Sequence, residues 1–269
     1  MADDRQSPQG RQRLRVGCCE VGRNASRYYA RFSALELQQT FFNPPRRATL
    51  QRLRDLAPAG FGFIVKAWQL ITHEADAPGY RRLGSPLPAP AGDYGHLQRT
   101  QAVLEALQAT QEAAATLEAS ALLFETPASF APTAQHRARL AAFFEAVDRQ
   151  GRDLVWDPRG VWSEPEIMRI CADLHLIPCR DPYSLEGPCA PEAYLKVQGM
   201  GRAQRLGDDE LLELLEVLQP TRRAYCLFNT VEMQRDATRL LSLLGEVAED
   251  DDEEQDDEEQ DESGEGLED

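Results

Sequence analysis

Residues 61–67 read FGFIVKA, an apolar run of β-strand character that closes on a lysine. The same pattern returns at 193–199 as AYLKVQG. These are the only two lysines in a chain with 29 Lys and Arg in total. Lysine is a compact charge that responds strongly to burial, whereas arginine serves well on a wet surface. A chain that keeps its ammonium groups for two strand ends points to a site there, because parallel α/β sheets put their chemistry at those ends.

Outward from FGFIVKA, strand-like and helix-like stretches alternate. Strands are expected at LRVGCCE (14–20), ALELQQTF (34–41), SALLFETP (120–127), DLVWDPRG (153–160), LIPCRDPY (176–183) and RAYCLFNT (223–230), besides the two lysine runs. Helices are expected between them: a short one after Asn24 or Ser26, then 49–56, 96–118, 133–149, 164–175, 207–219 with Asp208 or Asp209 as cap, and 231–247. A Pro/Gly-rich excursion (76–95) is long enough to be a functional loop. Eight strands, each followed by a helix, within about 250 residues fit a single (β/α)8 TIM-like barrel, an α/β fold. A doubly wound sheet would carry a glycine-rich phosphate turn after an early strand, and GCCEVG (17–22) is a poor version of one.

The barrel is expected over 14–247, with a flexible N-terminus (1–13) and a disordered acidic tail (248–269). Residues 249–269 hold 15 acidic and no basic residues. The chain has 45 acidic and 29 basic residues, so 1–248 carry 30 against 29, a net charge of −1. The tail solubilises the chain or contacts a basic protein partner. The near-neutral remainder argues against a grip on nucleic acid. Six cysteines without a CxxC spacing suggest neither a disulfide framework nor a zinc knot. The polar N-terminus and the lack of a membrane-length apolar run make the cytoplasm the expected location, with no membrane partner.

In a barrel, alternate side chains point inward and the last of them line the mouth. That places Glu36, Gln38 and Thr40 on one face of the second strand, Lys66 at the end of the third with Thr72 and His73 beyond it, and Glu125 on the fourth. Asp157, Arg159 and then Trp162 follow on the fifth, Asp181 on the sixth, Lys196 on the seventh and Asn229 on the eighth. Glu36, His73 and Asp157 are the candidate catalytic groups for proton transfer. Gln38, Lys66, Thr72, Arg159, Trp162, Lys196 and Asn229 are the candidate binding groups for a small anionic or phosphorylated substrate. The same carboxylates are alternatively oxygen ligands for Mg²⁺ or Mn²⁺, while four histidines, two of them on helices, argue against a multi-histidine zinc site. No P-loop, GxSxG turn or HExxH names a cofactor or nucleophile.

These residues also carry a resemblance. Glu36-Leu-Gln-Gln-Thr-Phe-Phe, Phe63-Ile-Val-Lys-Ala with Ile71-Thr-His, Gly92-Asp-Tyr-Gly-His96, Leu123-Phe-Glu-Thr-Pro127, Trp156-Asp-Pro-Arg-Gly160 with Trp162, Asp181-Pro-Tyr and Phe228-Asn229 stand in the order found in the YecE-like family, domain of unknown function 72. The similarity spans roughly 14–247. It implies a TIM-like barrel and no established reaction. Against the family pattern this chain has Gln38 for Asn, Phe42 for Tyr, Glu125 for Gln, Asp157 for Glu, Lys196 for Arg, Gln198 for His and Thr230 for Asn. An enzyme on a small anion is the first expectation. A non-catalytic scaffold acting through its tail, and a nucleic-acid-processing barrel by analogy of fold, are the alternatives.

Overall fold

The computed structural model describes residues 14–22, 24–84, 86–185, 189–198 and 206–245. The expected N-terminal arm and acidic tail lie outside the described residues. Eight parallel strands close into a barrel in sequence order, and the last pairs with the first. They are β1 (Leu14–Cys18), β2 (Ala34–Leu37), β3 (Gly62–Lys66), β4 (Ala121–Thr126), β5 (Asp153–Pro158), β6 (Ile177–Arg180), β7 (Glu192–Gln198) and β8 (Arg223–Asn229). The helices are α1 (Ala25–Arg31), α2 (Gln39–Phe42), α3 (Arg47–Leu56), α4 (Gln69–Thr72), α5 (Gln101–Thr116), α6 (Ala134–Ala146), α7 (Glu164–Asp173), α8 (Asp208–Leu218) and α9 (Met233–Leu243). Among the described residues no helix is long and apolar enough to cross a membrane. The six cysteines are free thiols.

The period-two pattern of the strands divides the apolar residues into two cores. Ile64, Leu123, Val155, Ile177, Tyr194 and Leu227 pack inside the barrel with Cys19 and Cys179. Their neighbours Phe63, Val65, Leu122, Leu154, Leu195 and Phe228 face outward into a larger core beneath the helices. Burial of one such aliphatic side chain contributes about 1.5–3 kcal/mol. The inward parity, once fixed by Ile64, Leu123, Val155 and Tyr194, carries on up each strand to Lys66, Glu125, Asp157 and Lys196. Gly17 on β1 is required for close approach, since a methyl there would collide with the Ala34 backbone of β2.

Polar side chains start several helices as the sequence suggests. Asn24 accepts from Arg27 N at 3.0 Å, and Thr133 from His136 N at 3.1 Å. Three boundaries differ from expectation. α8 is capped by Gly207, whose N–H is accepted by the Glu210 carboxylate at 2.8 Å, not by an aspartate. β2 stops at Leu37, and the chain turns into α2 where strand alternation was expected to continue to Phe41. The Thr40 hydroxyl satisfies the turn by donating to Leu37 O (2.8 Å) or Lys66 O (2.7 Å), so it does not face the barrel interior.

The third difference is the start of α5, at Gln101 and not His96. Gly95, His96 and Leu97 take φ values of +79°, +50° and +52° in succession. Left-handed residues cost free energy and usually occur singly. Here the three consecutive N–H groups donate to Leu70 O, Thr72 O and Ile71 O at 2.9–3.0 Å, capping the carbonyls of α4. A side chain at Gly95 would strike the His73 carbonyl.

Candidate active site

Six charged side chains from five strands and the loop after β5 form a closed ring at the C-terminal mouth. Glu36 on β2 receives Lys196 Nζ of β7 at 2.7 Å and the Tyr194 hydroxyl. Gln38 donates to the other side of the ring through Glu36 Oε1 and accepts from Lys66 Nζ at 3.4 Å. Lys66 continues to Glu125 Oε2 at 3.2 Å. Arg159 joins Glu125 at 2.8 Å and Asp157 at 3.1 Å, both through Nη2. Asp157 Oδ2 closes the circuit at 4.0 Å from Lys196 Nζ. Three carboxylates and three cations balance.

Depth orders the ring. The side chains of Glu36, Lys196, Asp157, Lys66 and Glu125 are 0, 2, 5, 8 and 15 % exposed, against 37 % for Arg159. Burial of an ion is costly unless a partner repays it, and the partners set each group differently. Burial pushes the Asp157 carboxyl up to about 6; Lys196 and Arg159 oppose this, while Glu125 and Glu36 add to it. Burial would raise Glu125 too, but Lys66 and Arg159 together outweigh it and hold that carboxyl down at about 2. Burial is the largest single influence on Lys196 and works against its charge, but Glu36 and the weaker contributions of its other neighbours, Asp157 among them, together outweigh it and leave the ammonium above its ordinary range. Two carboxylates on adjacent strands thus differ widely in proton affinity, the arrangement from which acid–base roles arise.

Sequence reading missed Tyr194, Cys19 and Cys179. All three surround the deep end of the ring, where burial pushes their titration well up and keeps them protonated at neutral pH. Parity held the signal, since Tyr194 lies two residues before Lys196 on the same face.

His73 lies at the rim. Burial is the main cause lowering its imidazole to about 4, so it is neutral near pH 7. Its Nδ1 is 2.8 Å from the Thr72 hydroxyl. Its ring stands edge-on to Phe41 at 5.0 Å, and the Lys66 ammonium sits over that same Phe41 ring at 4.2 Å. Thr72 is buried and engaged with His73. Tyr80 donates to His73 O at 2.8 Å and helps to line a cavity of about 420 Å³ with Ala75, Leu83, Gly84, Pro86 and Leu87.

Three sequence candidates stand apart from the ring. Trp162 is buried, donates its indole N–H to Phe130 O at 2.7 Å, and packs on Trp156 and Phe130. Its amphipathic ring has found a partner in the outer core. Asp181 accepts from Tyr183 N at 3.1 Å and starts a 3-10 turn. Asn229 is exposed at the end of β8, opposite Gln198. Among the described residues no three His, Cys, Asp or Glu side chains converge as a metal site. Lys66, Arg159 and Lys196 stand between the carboxylates that would have to meet.

At the opposite end of the barrel, Arg223 engages Asp153 through Nη1 and, at 3.1 Å, through Nη2. It reaches Glu192 at 3.0 Å, and Tyr225 donates to Asp153 at 3.0 Å.

Residues 20–262 match a family described as protein of unknown function DUF72. No curated protein matches the chain significantly. Among solved structures, a DUF72 family protein from Enterococcus faecalis is 14% identical with a TM-score of 0.61, covering 86% of this chain and 97% of that one. Another from Thermotoga maritima is 16% identical with a TM-score of 0.60, covering 86% and 99%. A family 2 AP endonuclease from Brucella melitensis is 9% identical with a TM-score of 0.50, covering 87% and 98%. At these identities the likeness is one of fold.

Proposed function

The chain belongs to the DUF72 family, and from the chemistry of its barrel mouth we propose that it is an enzyme that moves protons on a small anionic substrate. The observation that carries this reading is the ring itself. Structural ion pairs favour ionised partners, yet Asp157 is held in a place where burial favours its neutral form. A carboxyl poised near neutral pH beside a permanent cation is suited to general acid–base work. Arg159, the exposed cation, receives the anion. Lys66 and Lys196 orient what enters. Asp157 exchanges the proton, and Glu36, braced by Lys196 and Tyr194, holds the ammonium that steadies developing negative charge. Neutral His73 offers a hydrogen bond at the rim.

A nucleic-acid substrate is the second reading, favoured by the likeness of fold to the Brucella AP endonuclease. The near-zero net charge of 1–248 opposes it, because phosphate backbones are gripped by cationic surface.

Thermal melting of the full chain against a panel of small carboxylates and phosphorylated metabolites tests the proposal. At least one is expected to raise the midpoint in the parent and to lose that effect in Arg159→Ala. No shift with any of them sinks the reading. A salt-sensitive gel shift with an oligonucleotide, in its place, supports the second.

A further inference from the structure

Arg159 is the most exposed member of the ring, at 37 % against 15 % or less for the other five. Arg159 lies across Glu125 and Asp157 and bonds both through a single nitrogen, Nη2. Asp157 and Lys196 are buried, so a ligand arriving from solvent meets that half-exposed guanidinium first. We propose that Arg159 is a gate: a small monocarboxylate draws the guanidinium off Asp157 and Glu125 and enters together with one proton, which Asp157 takes from solvent. This rests on the preceding reading of the mouth as an anion site and adds the substrate class and the coupling.

Charge bookkeeping selects the class. The ring is neutral with three anions and three cations. A monocarboxylate adds one negative charge, and protonation of Asp157 restores neutrality. A dianion would leave an uncompensated charge in a dry site, which burial strongly disfavours. The planar fork of Arg159 also matches a carboxylate, which accepts two parallel N–H bonds.

The groups facing Asp157 show why it is the acceptor. They are Glu36 from β2, Glu125 from β4, Arg159 beyond the end of its own strand, Cys179 from β6 and Lys196 from β7. Lys66 of β3 is directed to Glu125. With Arg159 turned toward a ligand, Lys196 at 4.0 Å is the remaining cation that favours the ionised form. Burial and the two neighbouring carboxylates all oppose it. Glu125 retains Lys66 at 3.2 Å and stays ionised, and the Cys179 thiol is already protonated. One O–H bond forms on Asp157, the proton comes from water or buffer, and no bond in the ligand breaks.

The test follows the side-chain carboxyl resonances of the full chain labelled with ¹³C-aspartate, titrated with pH in sodium chloride, acetate or sulfate at matched ionic strength. The Asp157 signal is the one missing from Asp157→Asn; should that variant not fold, it is the one whose midpoint Arg159→Gln moves most. Acetate is expected to raise the Asp157 midpoint by about one pH unit, a tenfold rise in proton affinity. Sulfate, a dianion throughout the titration, is expected to raise it less. In Arg159→Gln the midpoint is expected to be high already and indifferent to acetate. Acetate that perturbs no resonance near Arg159 overturns both this inference and the anion-site reading. Acetate that binds without moving the Asp157 midpoint overturns the gate and leaves the reading standing. An equal response to sulfate overturns the monocarboxylate class.

Discussion

At the floor of the barrel one arginine grips one aspartate with two nitrogens, while at the mouth two lysines and an arginine are strung among three carboxylates and a glutamine. The floor uses the guanidinium fork on a single carboxylate, which fixes geometry. The mouth spreads two ammonium point charges and one guanidinium over three carboxylates, and Glu125 and Asp157 are left with unequal proton affinities. Both ends are ion-paired, so ion pairing alone does not mark a site. The mark is a partner whose charge the surroundings do not fully support. In barrels the N-terminal face serves stability and the C-terminal face serves chemistry, and here the contrast is written in the choice between Arg and Lys.

Mutations at the two ends sharpen the contrast. The largest effect is expected from Glu36→Ala, which leaves the buried Lys196 ammonium without its 2.7 Å partner. Urea denaturation should show a loss of about 3–5 kcal/mol, the usual cost of orphaning one member of a buried pair. A loss below that of an ordinary surface substitution would mean that the mouth is wetter than its burial indicates.

Asp157→Asn is expected to act in the opposite direction. An acid whose folded value (about 6) lies above its ordinary 3.8 favours folding at low pH. That contribution is full below about pH 4 and is lost as the pH rises through about 6. Asparagine mimics the protonated form, so the variant should be more stable than the parent at pH 8, by at most about 3 kcal/mol. At pH 4 the two should melt alike. A variant less stable than the parent at both pH values would show that Arg159 and Lys196 need the charge for structure alone.

The smallest effect is expected at the floor. Asp153→Ala removes one acceptor from Arg223 but leaves it Glu192 at 3.0 Å. The loss should be about 2 kcal/mol, and the response to anions should be that of the parent. A changed anion response would break the division between the two ends.

Most of the barrel was legible because its parity is simple. FGFIVKA already contains the argument: Phe63 and Val65 go out, Ile64 and Lys66 go in. The same alternation led to Glu36, Asp157 and Lys196. It failed where the chain leaves the sheet. ALELQQTF alternates from Leu35 to Gln38 and reads as strand to Phe41, yet the strand stops at Leu37 and Thr40 finds acceptors on two strand ends, a contact that no local pattern encodes. Trp162 stands three residues after Arg159 and looked like a binding surface, but an indole N–H in a core must find an acceptor, and Phe130 O supplied one from a distant loop. Asp181 was drawn away in the same manner by its own turn. Arg159 apart, the charges that did converge were those borne by the strands themselves, where direction is set by the sheet and not by the nearest partner.

The left-handed turn at Gly95–Leu97 bears on how the mouth opens. Its three amide groups rivet one end of the 76–95 excursion to the carbonyls of α4, directly beside His73. The other end is tied as well, Gln69 donating to Gly79 O at 3.1 Å and Tyr80 to His73 O at 2.8 Å, so any swing is confined to the stretch between, like a door held at both jambs. Insertions within it should lengthen the door without loosening the frame, and the amides of residues 95–97 should exchange with solvent as slowly as those of the strands.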